Sequence, residues 1–102
     1  MTARSVTIVN RLGMHARAAA KFVHLAARYE SRVRVARDGR EMDGKSVMGL
    51  LLLAAARGSA ITITTDGRDE VEALNALATL VETGFGEDEP AHSAEAGDQG
   101  RT

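Results

Sequence analysis

A chain of 102 residues, 44% of them hydrophobic, is expected to form one domain with a modest core. It contains no cysteine, which excludes disulfides, a thiol nucleophile and a cysteine-held metal. The net charge of −1 hides an asymmetry: residues 1–51 carry ten Lys and Arg against four Asp and Glu, and residues 52–102 carry three against ten.

That asymmetry reads either as plain solvated surface or as a basic half that docks acidic partners or handles anions. Met1 to Ser5 lack the apolar run of a signal peptide. Val6 and Ile8 alternate with Thr7 and Val9, which predicts a first strand with one buried face. Gly13 then allows a turn without a Cβ clash, and the alanine-rich stretch from Ala16 onward favours a helix. Ala19, Phe22, Val23, Ala26 and Tyr29 recur at helical spacing, so the helix is expected over residues 16–29.

Alternation resumes from Arg32 to Arg37. Asp38-Gly39 suits a tight hairpin turn, followed by a return strand to about Asp43. Gly44-Lys45 form a loop, and Ser46 is placed to cap a second helix that runs through the leucines and closes near Gly58. Its apolar run, Leu50 to Ala56, is too short to span a bilayer, so a soluble cytoplasmic protein with no membrane insertion is expected. Ile61 and Ile63 alternate with Thr62 and Thr64 in a fourth strand. Asp69 and Glu72 resemble a capping box, and Val71, Leu74, Leu77, Ala78 and Val81 line one face of a third helix that Gly84 can end. The order β-α-β-β-α-β-α predicts an α+β layer fold, one sheet covered by helices on one side. Residues 1–86 form the domain. Residues 87–102 hold five acids, Pro90 and no large apolar side chain, which predicts a disordered acidic tail.

His15 is the candidate functional residue. It stands where strand gives way to helix, beside backbone N–H groups that lack intrahelical acceptors and at the positive end of the dipole. Arg17, two residues on, adds a guanidinium to the same volume. A lone histidine is by default a surface residue, as His24 and His92 are read here. The glycine turn, helix start and arginine together favour a nitrogen that receives a phosphoryl group. A helix N-terminus stabilises an anion by roughly 0.3–1 kcal/mol, up to ~2 when partly buried. A charged hydrogen bond from Arg17 adds about 1.5–3 kcal/mol at most. Such terms orient a phosphoryl group without trapping it, since each ~1.4 kcal/mol changes onward transfer about tenfold. No metal cluster, cofactor motif or second catalytic group accompanies His15, so a carrier is expected rather than an enzyme.

The segments Gly13-Met14-His15-Ala16-Arg17 and Gly44-Lys45-Ser46-Val47-Met48-Gly49-Leu50 resemble those of the HPr family, the histidine-containing phosphocarriers of the bacterial phosphoenolpyruvate-dependent phosphotransferase system. The resemblance runs from about Ser5 to Phe85. It implies an open-faced β-sandwich, a four-stranded antiparallel sheet with three helices on one face. It also implies that His15 accepts a phosphoryl group from Enzyme I and passes it to an enzyme IIA, that Arg17 supports that group, and that Nδ1 is the phosphorylated nitrogen. Spacing alone does not choose between the two ring nitrogens. Ser46 corresponds to the serine that HPr kinase modifies in some members, a role compatible with capping. Ala18 stands where many members have proline, which fixes φ at no hydrogen-bond cost in a first helical turn; alanine still permits the helix. The Ala-Ala-Lys-Phe-Val continuation and the Gly84 to Asp88 ending resemble proteobacterial carriers, including the nitrogen-related branch.

Four consecutive leucines cannot all face inward on one helix. Ala20, Val47, Met48 and Leu51 are therefore expected to form an exposed apolar docking patch near His15, rimmed by Arg11, Arg17, Lys21 and Lys45. A monomer is expected. RNA-binding modules share this element order but stack bases on sheet aromatics, and Phe22, Tyr29 and Phe85 all lie in or beside helices, so no nucleic-acid partner is expected. The competing reading is a small α+β ligand-binding regulatory domain without phosphotransfer, which leaves His15 and Arg17 at a helix start unexplained.

Overall fold

The computed structural model describes residues 1–87. Strands β1 (Thr2–Thr7), β2 (Arg32–Arg37), β3 (Arg40–Asp43) and β4 (Ala60–Asp66) form one antiparallel sheet in the order β1-β4-β2-β3. Helices α1 (Ala16–Ala26), α2 (Val47–Leu52) and α3 (Glu70–Glu82) follow β1, β3 and β4, and a 3-10 turn spans Gly84–Gly86. Alternation sets which face is covered. Val6 lies opposite Ile61, and Ile63 lies opposite Val35. All four are buried, with Val33, on the face that meets the helices.

Helix α1 buries Ala18, Ala19, Phe22 and Ala26, and α3 buries Ala73, Leu74, Leu77, Ala78 and Val81. Phe22 of α1 and Leu77 of α3, both fully buried, belong to the core that these faces enclose. The expected α+β order holds throughout. Asp38 and Gly39, with φ of 52° and 80°, make the hairpin turn between β2 and β3.

Four local expectations are corrected. Helix α1 stops at Ala26 rather than Tyr29. Helix α2 ends at Leu52 instead of running on toward Gly58, because Ala54 takes a left-handed φ of 51°. That turn frees the carbonyl of Ala55 to accept from Met14 N–H at 2.9 Å, a tertiary bond that local helix propensity cannot foresee. Asp69 does not close a capping box. Its carboxylate instead accepts from Ser31 Oγ and from the N–H groups of Glu30 and Ser31, tying the α1–β2 connection to the start of α3. Val71 is 59% exposed rather than core, since the buried stripe of α3 begins at Ala73.

Candidate functional site

The loop from Asn10 to Met14 carries His15 to the head of α1 and is docked against the segment after α2. Gly13 has φ of +67°, and a Cβ there would sit 2.6 Å from the carbonyl oxygen of Ala55. Only glycine serves at this point, for both conformation and space. Asn10 is 1% exposed, and its Nδ2 donates to Gly13 O at 2.8 Å, closing the loop from inside. His15 is the N-cap residue of α1, in an extended conformation, and its ring makes no capping hydrogen bond. Its carbonyl accepts from Ala19 N–H at 2.8 Å. The N–H groups of Ala16, Arg17 and Ala18 therefore precede the first intrahelical bond, and no acidic residue lies in this first turn. Arg17 is exposed, and among the described residues its guanidinium has no hydrogen bond or ion pair.

The ring itself has an unexpected neighbour. Glu87, at the head of the stretch read from sequence as a tail, places Oε2 on His15 Nε2 and accepts from Asn10 Nδ2 on Oε1 at 3.1 Å. Among the described residues no hydrogen bond reaches Nδ1. The His15 and Glu87 side chains are 26% and 19% exposed. Burial alone would raise the Glu87 carboxyl. The hydrogen bonds from His15 and Asn10, together with the charges of His15 and Lys21, outweigh burial and hold the carboxyl below its ordinary value.

A family model described as "PTS HPr component phosphorylation site" matches residues 2–83. The chain is 51% identical over 89 residues to the phosphocarrier protein HPr of Cupriavidus necator, covering 87% of this chain and all of that one. It is 50% identical over 90 residues to the HPr of Pseudomonas aeruginosa, with the same coverage. The chain belongs to the HPr family of phosphocarriers. The HPr-C-His crystal structure from Thermoanaerobacter tengcongensis superposes with a TM-score of 0.84 at 37% identity, over 87% of this chain and 100% of that one. The four-stranded open sheet with three helices is thus an HPr fold.

On this HPr fold the other residues singled out from sequence are spread unevenly. Ser46 caps α2, its Oγ accepting from Gly49 N–H at 3.0 Å. Met48 is 69% exposed, while Val47 and Leu51 are half-buried against the core and Ala20 is half-buried on α1. The leucine run divides as one helix must: Leu50 and Leu53 are buried, and Leu52 is exposed. Arg11 is exposed. Lys21 donates to the carbonyl of Phe85 at 2.8 Å, two residues before Glu87. Lys45 instead donates to the carbonyl of Tyr29, beyond the C-terminal end of α1 and away from His15.

Sequence reasoning missed Asn10 and Glu87 as members of this site, and Leu12 and Leu52 as exposed apolar residues. The available signal was Gly84-Phe85-Gly86, a lone aromatic between glycines just ahead of Glu87, which marks an anchored turn rather than the start of a tail. Asp88 to Thr102, with His92, lie outside the described residues, and His24 is exposed on α1. Among the described residues no helix is long and apolar enough to cross a membrane.

Proposed function

We propose that His15 is the phosphoryl acceptor of this HPr-family chain, taking the group from phosphorylated Enzyme I and passing it to an enzyme IIA. The observation that carries this reading is the placement of His15. It caps α1 with Nδ1 unbonded among the described residues, beside three N–H groups that precede the first helical bond. A phosphoryl group on Nδ1 would find partial positive charge at the helix start and the unengaged guanidinium of Arg17. In-line transfer needs exposure to two partners in turn, and a ring 26% exposed at a helix head can offer it.

Docking would use the exposed Met48 with Val47, Leu51 and Ala20, extended by Leu12 and Leu52 and rimmed by Arg11, Arg17 and Lys21. Ser46 is the candidate regulatory site, where a phosphate from an HPr kinase would add about two negative charges beside this surface. The protein acts as a cytoplasmic carrier. It serves sugar uptake or a nitrogen or carbon regulatory relay, according to which enzyme IIA drains it.

Intact mass after incubation with phosphoenolpyruvate and Enzyme I tests the assignment. The expected result is gain of one acid-labile, base-stable phosphoryl group that His15→Ala abolishes. Gain of none with a competent Enzyme I from the same host would leave the likeness one of fold and favour a ligand-binding domain.

A further inference from the structure

The carboxylate on the second ring nitrogen of His15 has no part in the transfer just described, yet it is held from several sides. Gly84, Phe85 and Gly86 all have positive φ, at 70°, 59° and 70°, a conformation that Phe in particular avoids. The turn is kept in that shape by the Phe85 side chain, 1% exposed in the core, and by Lys21, which donates to the Phe85 carbonyl at 2.8 Å. Glu87 leaves this anchored turn directly onto Asn10 and His15. The buried Asn10 amide uses both of its hydrogens, one on Gly13 O and one on Glu87 Oε1. The carboxyl is held below its ordinary value, so it is an anion at neutral pH.

We propose that Asn10 and Glu87 are positioning residues that fix His15 as the Nε2–H tautomer, leaving the Nδ1 lone pair free to attack phosphorus. The proposal rests on His15 being the phosphoryl acceptor. A carboxylate only accepts hydrogen bonds, so the nitrogen facing it carries the proton and the other carries the lone pair. On transfer, a bond forms between Nδ1 and phosphorus while the bond from phosphorus to its donor breaks, its electron pair leaving with the donor. The Nε2 proton stays where it is. The ring becomes cationic between two anionic groups, the phosphoryl on one edge and Glu87 on the other. Onward transfer reverses these changes, so neither step needs a proton to move. Among the described residues, the charged side chain acting on the pair of His15 and Glu87 is Lys21 from α1.

The test compares the full chain with Glu87→Gln and Glu87→Ala by two readouts. Imidazole nitrogen shifts at a pH where the ring is neutral report the tautomer, and single-turnover mixing with phosphorylated Enzyme I reports acceptance. The unmodified ring is expected to be mainly Nε2–H. Glu87→Ala should shift it toward a mixture containing Nδ1–H and slow acceptance about tenfold, the size of one charge-assisted hydrogen bond lost at the reacting ring. Glu87→Gln, whose amide oxygen still accepts, should keep the tautomer and recover part of the rate. An Nδ1–H ring in the unmodified protein, or either readout unchanged in a Glu87→Ala protein whose amide spectrum shows the native fold, overturns the positioning role. Failure of the unmodified protein to accept a phosphoryl group while the tautomers shift as described overturns the acceptor assignment instead.

Discussion

At the scale of single residues, Asn10 does the most with the least exposure. One buried amide closes the His15 loop and holds Glu87, while its Oδ1 has no partner among the described residues. Asn10→Asp replaces two donations with a buried carboxylate facing a second one. It is expected to cost about 1–3 kcal/mol or more of stability, measured as a lower urea midpoint with an unchanged slope. Ser46 presents a cleaner case, since its Oγ satisfies one free N–H of a helix of only six residues. Ser46→Ala should cost about 1 kcal/mol, read the same way; a loss below a few tenths would mean that the cap contributes little here. The capping role of Ser46 was legible from its place before an apolar run. The role of Asn10 was not, because nothing within a few residues of it tells a buried asparagine from an ordinary turn residue.

At the scale of elements, the end of α2 and the start of α3 are decided by tertiary bonds. Ala54 holds a left-handed φ of 51° and is exposed, which costs an L-residue roughly 1–2 kcal/mol. Glycine would remove that strain at an entropic cost of about 0.5–1 kcal/mol. Ala54→Gly is therefore expected to raise stability by about 0.5–1 kcal/mol, and a fall in the thermal midpoint would contradict it. The tie between Ser31 and Asp69 has a pH signature. The Ser31 hydroxyl, and then the Glu30 N–H, hold the Asp69 carboxyl below its ordinary value of 3.8, against a smaller opposing effect of burial. The unfolded chain then binds this proton at higher pH than the folded one. The contribution is complete above about pH 4 and is lost as pH falls through the folded value. The stability difference between the unmodified protein and Ser31→Ala should accordingly narrow below about pH 4. Denaturant titrations at neutral pH and near pH 2 check this, and a constant gap would show that the carboxylate does not carry it.

At the scale of the whole molecule, the basic half of the chain does not present its charge uniformly. Lys21 keeps its ammonium beside the His15 site through the Phe85 carbonyl, whereas Lys45 keeps its own at the Tyr29 carbonyl, beyond the far end of α1. If acidic partners dock around His15, Lys21→Glu should slow phosphoryl exchange with Enzyme I more than Lys45→Glu does. Both effects should shrink as salt rises. Exchange rates measured at low and high ionic strength decide it, and equal slowing by the two variants would move the docking surface away from the head of α1. The matched relatives of C. necator and P. aeruginosa span nearly the same length as the described part, so family membership rests on the whole packed unit rather than on the His15 motif alone.

By itself the sequence determined the element order, the alternation that sets each strand's buried face, the Asp38-Gly39 turn, the Ser46 cap and the placing of His15 at a helix head. Each is a matter of residues within a few positions of one another, where propensity, periodicity and steric limits on φ act directly. Only the tertiary structure decided where α2 stops, what Asp69 binds, which lysine stays near His15, and that Glu87 meets a ring 72 positions away. Those contacts join segments distant in the chain. The packing of Phe85 and the course of the sheet select them, and no local pattern carries that information.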